Sequence, residues 1–171
     1  MGFVLPPPDG HRQDPFKIVP GRADSTPVST PVSTPPDGNP IASDIVASMH
    51  QLLDHVVGHV PGVVGAVVSS ADGFALASRL PADSTTDAAA LAAMSAALLG
   101  LSNRLVQSIA PQPSRVAELR SDGAHGYVFA VAHAASLTVL ATATSDRSQI
   151  IAVGREVTAG LLRLLRGVAD V

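Results

Sequence analysis

His55 and His59 stand four residues apart, the spacing that puts two imidazoles on one face of a helix and suits a pair of metal ligands. A zinc hydrolase built on such a pair also needs a glutamate directly after the first histidine, where this chain has Val56. His50 and Asp54 are close by in sequence, yet no third ligand stands out. A solvated helix end, with imidazolium near the negative terminus of the helix dipole, accounts for the pair without a metal. Asp83, Asp87, Asp122 and Glu118 fall at helix caps, a turn and a strand, where each has an ordinary structural role. No G-x-S-x-G nucleophile elbow occurs, and no G-x-x-x-x-G-K-[ST] loop that would cradle phosphates, so the chain is not expected to bind GTP itself. The absence of cysteine removes thiolate metal sites, disulfides and cysteine nucleophiles. The expectation is a non-enzyme with no cofactor and no metal.

The elements around these residues fall into two regions. Residues 1–40 are dominated by Pro, Ser, Thr and Gly, with three consecutive prolines (Pro6, Pro7, Pro8) and the repeat STPVSTPVSTPP at 25–36. Each proline fixes φ and removes a backbone donor, so this leader favours solvated, extended chain over a packed core. A plain flexible tail is the simpler reading of this tract; the sharper one is a regulatory tail, since Thr26, Thr30 and Thr34 each precede a proline and would add negative charge if phosphorylated. From Ile41 the pattern becomes periodic, and residues 41–171 are assigned to one domain, of a length that can bury a real core. Ile41, Ile45, Met49, Leu52, Leu53 and Val56 predict a helix that Pro61-Gly62 stops. Residues 62–68 predict a buried strand and 74–79 a second, joined at Asp72-Gly73 by a tight primed turn. A long helix over 84–109 follows, with Ser84 and Asp87 in capping-box spacing and Pro111 beyond its end. Strands are predicted at 115–120, 127–132 and 137–144, and a last helix opens at Asp146 with Gln149 in the reciprocal capping position. The order α-β-β-α-β-β-β-α, with short turns between neighbouring strands, predicts an α+β sandwich: a mainly antiparallel five-stranded sheet covered by helices.

The helix over 84–109 is the informative element. Leu91, Met94, Leu98, Leu101, Leu105 and Ile109 form one stripe, the expected face for packing on the sheet. The opposite face carries Ala89, Ala93, Ala96 and Gly100, with Asn103 and Gln107 only near the end, where charge would be expected if it met water. Gly100 inside a helix costs about 1 kcal/mol relative to Ala, which close approach of another backbone would offset. The small residues fit either an Ala-rich helix chosen for propensity or a second buried face. The second reading requires another copy of the chain or a partner protein, since one small domain has no element left to cover that face.

Net charge is -3 with no Lys/Arg run, which argues against a nucleic-acid footprint or a polybasic membrane patch. The N-terminus lacks the pattern of a signal peptide, and Pro6 stands where a myristoylation signal needs Ser or Thr. The apolar stretches are broken by polar residues short of the roughly 20 needed to cross a bilayer. The expectation is a cytoplasmic protein without membrane insertion.

The element order, the turn Ser69-Ser70-Ala71-Asp72-Gly73-Phe74-Ala75-Leu76-Ala77 and the preceding Pro61-Gly62-Val63 together resemble the roadblock/dynein light chain family over about 41–170. The resemblance implies a five-stranded antiparallel sheet with the middle helix on one face and the terminal helices on the other. It further implies dimers formed by pairing third strands and middle helices. Bacterial members act with small Ras-like GTPases, as activating proteins or companions, and this chain is similar to actinobacterial members encoded beside a sensor kinase, a further small partner protein and a GTPase. On that analogy the strand at 115–120 and the helix at 84–109 form the interface, with Ala89, Ala93, Ala96, Gly100, Asn103, Arg115, Ala117 and Leu119 as candidate contacts. Activators of GTPases often insert an arginine in trans, and Arg79, Arg104, Arg115 and Arg120 are the candidates; each is also a simple solvated or interface arginine. The alternative is a ligand-sensing domain of the PAS or GAF kind, against which stands the scarcity of aromatic selectors: no Trp, one Tyr and four Phe.

Overall fold

The computed structural model describes residues 40–169 except 83, 84, 114 and 134. The leader apart from Pro40, its threonines Thr26, Thr30 and Thr34, and the caps assigned to Asp83 and Ser84 lie outside the described residues.

The chain runs α1 (Pro40–His59), β1 (Val63–Ser70), β2 (Ala75–Arg79), α2 (Ala88–Gln107), β3 (Val116–Arg120), β4 (Ala124–Val131), β5 (Ala135–Thr142) and α3 (Arg147–Ala169). This is the order expected from the sequence. Met49, Leu53, Val56 and Val60 recur at helical spacing and are all buried. At the end of α1 the His59 ring donates from Nδ1 to the His55 carbonyl at 2.9 Å, occupying one acceptor that a helix terminus leaves open. Gly62 follows at φ 83°, and a Cβ there would stand 2.2 Å from the Ser145 hydroxyl, so both the turn and the close approach require glycine.

The β1–β2 connection corrects the expected primed turn. Ser70 accepts from the Gly73 amide at 3.1 Å, and the Ser70 amide donates to Phe74 at 2.8 Å. Gly73 has positive φ, but Asp72 does not. The positive-φ residue therefore follows an ordinary turn instead of forming its centre, the three-residue hairpin solution. α2 also begins later than expected: the Asp87 carboxylate accepts from the Ala89 amide at 3.0 Å and caps the helix itself. Asp146 does the same for α3, accepting from the Ser148 amide at 2.8 Å; the Ser148 side chain and amide hold its pKa below the ordinary carboxylate value.

All strands pair antiparallel in the order β2-β1-β5-β4-β3, leaving β2 and β3 as the edges. One face carries α1 and α3 over a core that includes Ala66, Val68, Tyr127, Phe129, Leu137 and Val139. Gly154 of α3 lies directly on the Phe129 ring, where a Cβ would approach the ring carbons to 2.3 Å. At the rim of this face Arg79 of β2 makes a two-pronged ion pair with Asp54 of α1, including a 3.0 Å bond from Nη2 to Oδ2. The hydrogen bond from Arg79 is the main cause that holds the Asp54 carboxyl below its usual value.

The other face holds α2, and its chemistry is different. Ser69 and Ser136 are buried with their hydroxyls 2.7 Å apart. Ser95 of α2 donates its single proton to the Leu91 carbonyl at 2.7 Å, so the Thr138 hydroxyl is the donor in the 2.6 Å bond between Ser95 and Thr138. Ala92, Ser95 and Leu99 are the buried residues of this helix. The sheet-packing stripe expected from the sequence is thereby corrected: Met94, Leu101 and Leu105 are 59%, 65% and 68% exposed. The inward face is thus Ala92, Ser95 and Leu99, which meets a sheet face where hydroxyls alternate with Val67 and Val128. The expectation that no stretch reaches membrane-spanning length is also corrected, since α2 is long and apolar enough by length and composition.

Gly154→Ala should destabilise the domain by about 1–3 kcal/mol in urea denaturation, the usual cost of overpacking. Gly100→Ala, where nothing lies within 4 Å, should leave protomer stability unchanged or raise it by roughly 0.4–1 kcal/mol. Equal losses at both positions would contradict the packing. The ion pair gives a pH signature: a depressed Asp54 pKa makes its contribution present at neutral pH and lost as pH falls through the folded value. The acid limb of the stability profile should therefore flatten slightly in Asp54→Asn, a small effect because both side chains are about half exposed; an unchanged limb would show the pair contributes nothing.

Candidate functional site

The described residues contain no group of three or more His, Asp or Glu side chains placed to hold a metal. His55 and His59 stack with ring centroids 4.1 Å apart, with His59 bonded to the helix end and His55 3.9 Å from Glu156. Both imidazoles thus have structural partners.

The four arginine candidates separate by geometry. Arg79 is held by Asp54, and Arg120 lies 3.9 Å from Glu118, which is itself bonded by Arg147 at 2.8 Å. Arg104, in the last turn of α2, and Arg115, just before β3, are exposed and have no acidic partner among the described residues. Glu118 is a half-buried carboxylate on β3 beside the buried Tyr127, whose pKa is pushed up first by burial and then by the Glu118 charge.

The most extensive feature is apolar. Met94, Leu101 and Leu105 of α2, with Ile109 just beyond it, form an exposed stripe. Beside it Leu119 of β3 is 55% exposed and shares a shallow apolar hollow of about 170 Å³ with Leu91, Met94 and Leu98. Val116 packs into the core of the α1/α3 face, so the alternation of β3 turns Ala117 and Leu119 to the α2 side. Among the described residues β3 pairs only with β4, and its outer edge lies next to this stripe. A continuous apolar surface beside an edge strand is the ordinary mark of an association surface.

The eight contact residues expected from the sequence divide over this geography. Ala117 and Leu119 lie on the α2 side of β3, within or beside the patch. Asn103 and Arg115 meet across a hollow of about 310 Å³ at the end of the sheet, near His133. Ala96, Gly100 and Asn103 line a second hollow of about 210 Å³ with Ser70 and Ala71. Ala93 lies against the β1–β2 turn, its Cα 3.0 Å from where a Gly73 Cβ would stand, and Ala89 is exposed. The small-residue group therefore does not join β3 on one patch: Ala93 flanks the other side of the helix. Met94, Leu101, Leu105 and Ile109, expected against the sheet, are instead the surface itself. A signal for this is present in the inward set Ala88, Ala92, Ser95, Leu99, Ser102 and Val106, a three-four repeat facing strands that alternate Ser136 and Thr138 with Leu137 and Val139. At the opposite sheet edge Phe74, expected as the first residue of the second strand, precedes β2 and is 71% exposed on the hairpin.

A sequence model of the Roadblock/LC7 domain matches residues 40–144. Comparison with curated proteins finds no match. Among solved structures, the chain is similar to a Roadblock/LC7 domain from Streptomyces avermitilis, with 22% identity and a TM-score of 0.62 over 68% of this chain and 96% of that one. It is also similar to the gliding protein MglB from Thermus thermophilus, with 15% identity and a TM-score of 0.64 over 70% of this chain and 90% of that one. A structure described as MglB with tetrameric arrangement aligns at 15% identity and a TM-score of 0.64, covering 70% and 89% of the two chains. The sensory-domain alternative finds no support among these matches. With the matched segment spanning well over half of the chain, and with the same sheet and helix arrangement in the similar structures, the chain belongs to the Roadblock/LC7 domain family.

Proposed function

We propose that this protein is a non-catalytic regulatory or scaffold protein that pairs with a second copy of itself and binds a small Ras-like GTPase. The observation that carries the reading is the exposed apolar stripe of α2 beside the edge strand β3. In the pairing, β3 meets β3 of the second copy, so the two sheets run on as one. Met94, Leu101, Leu105 and Leu119 then leave water together. Each such side chain contributes about 1.5–3 kcal/mol on full burial, and two-fold symmetry repeats every contact. Together these are comparable to the roughly 4–15 kcal/mol that association costs.

The GTPase partner rests on the family resemblance, as do a sensor kinase and a further small partner protein as members of the same assembly. No phosphate-cradling loop is present in the sequence, so nucleotide chemistry belongs to the partner. The protein acts in the cytoplasm, with residues 1–40 forming a Pro/Ser/Thr-rich leader outside the domain at 41–171. As an activating protein it would act by binding and reorienting the GTPase's own groups, or through Arg104 or Arg115, the two exposed candidate arginines without an acid partner among the described residues.

Leu101→Glu tests the surface. On a solvated helix face the change should alter protomer stability by no more than about 0.5 kcal/mol, whereas in an interface an unpaired buried charge costs several kcal/mol. Sedimentation should show a dimer for the wild type and a monomer for Leu101→Glu, with helical circular dichroism unchanged. Affinity capture of the full chain from its native host, followed by mass spectrometry, should recover a small GTPase. A monomeric wild type sinks the pairing, and capture without any GTPase sinks the partner assignment.

A further inference from the structure

Where β3 begins and β4 ends, the α3 side of the sheet opens into a cavity of about 490 Å³. Its volume falls within the roughly 300–1,000 Å³ of small-molecule sites. Val116, the buried Phe129 ring and Leu162 of α3 give it apolar walls. Thr158, which also lines it, donates its hydroxyl to the Gly154 carbonyl at 2.6 Å, so that proton is already used. Ala159 leaves open the space that a larger residue on the same helical stripe would fill.

The charged residues lining this cavity are both arginines, Arg115 ahead of β3 and Arg155 on α3. No carboxylate among the described residues pairs with either. Arg79 and Arg147 on the same side of the sheet are each bonded to an acid. Two uncompensated guanidiniums beside an apolar hollow select for negative charge, and their planar donor forks match the two oxygens of a carboxylate. A cation would meet repulsion there, and a sugar would find few acceptors.

We propose that this cavity binds a small anionic amphiphile, its apolar body against Phe129 and Leu162 and its carboxylate between Arg115 and Arg155. Arg155, Phe129 and Leu162 belong to the α3 side of the sheet, whereas Arg115 at the sheet's end also lines the hollow beside Asn103 and Gln107 of α2 and is shared with the proposed association surface. It would give the domain a ligand input adjoining its association surface through Arg115.

Calorimetric titration of the full chain with dodecanoate below its micellar concentration tests this, with dodecanol and dodecyltrimethylammonium as neutral and cationic counterparts. Saturable binding of dodecanoate at one site is expected, stronger than either counterpart. Arg115→Gln and Arg155→Gln should each weaken it about tenfold, the loss typical of one charge-assisted contact. Ala159→Phe should abolish it by filling the cavity. Should that variant fail to fold, the double variant Arg115→Gln/Arg155→Gln, altered only at exposed positions, decides by the loss or retention of head-group preference. No dodecanoate binding, equal binding of the cationic counterpart, or full binding by folded Ala159→Phe overturns the site. So does an Ala159→Phe protein that merely changes its sedimentation, which would make the cavity a contact between copies.

Discussion

The central helix is keyed to the sheet by a buried hydroxyl pair between Ser95 of α2 and Thr138 of β5, flanked by the buried Ala92 and Leu99. Ser95 gives its proton to its own helix at Leu91, so it can only accept from Thr138, and both groups are satisfied without water. Turning α2 about its axis to bury its leucines would bring those side chains onto a sheet face lined by Ser69, Ser136 and Thr138. It would also strand at least one buried hydroxyl at a cost of about 1–3 kcal/mol. The hydroxyls of this sheet face, set among Val67 and Val128, thus favour the face of α2 that carries Ser95. The exposed stripe is what remains once that choice is made.

This explains why the fold was legible in the sequence and the surface was not. Element order follows from local signals: periodicity in α1, Pro61-Gly62 after it, the Asp-Gly turn and the capping residue Asp146. Each acts within a few residues and is visible in one dimension. The choice of face on α2 depends on which strands it meets, and that pairing is set by the order β2-β1-β5-β4-β3. Reading Leu91, Met94, Leu98, Leu101 and Leu105 as core assumes that the largest apolar residues face the sheet. That assumption fails where a helix has two apolar faces and the smaller one fits the sheet more closely. Gly100 shows the same limit, because its open surroundings cannot be inferred from its place in the chain.

The two faces of the sheet are specialised in opposite ways. Under α1 and α3 lie Tyr127, Phe129, Leu137 and Val139, a tightly filled core where Gly154 must lack a side chain to clear Phe129. Stability is concentrated there, since large side chains bury the most apolar surface. Under α2 the hydroxyls of Ser69, Ser136 and Thr138 are interleaved with the buried Val67 and Val128, and the residues that α2 itself buries are Ala92, Ser95 and Leu99. A helix held by close, specific contacts with its large side chains facing outward can supply association energy without being needed to form the core.

The membrane-like composition of α2 leads to the same conclusion by another route. By length and apolarity it could lie in a bilayer, but a spanning helix would present its whole circumference to lipid or to other helices. Here Ala92, Ser95 and Leu99 are buried within the domain, and Asp87 caps the first turn with a carboxylate. The outward arc is therefore the only part left to meet a second apolar surface. It runs alongside the outer edge of β3, which among the described residues pairs only with β4, and lipid cannot satisfy the backbone groups of a strand edge. A protein surface that offers both an apolar stripe and a strand edge satisfies both requirements at once. A second copy of the chain, related by a two-fold axis, has these two features in the matching positions.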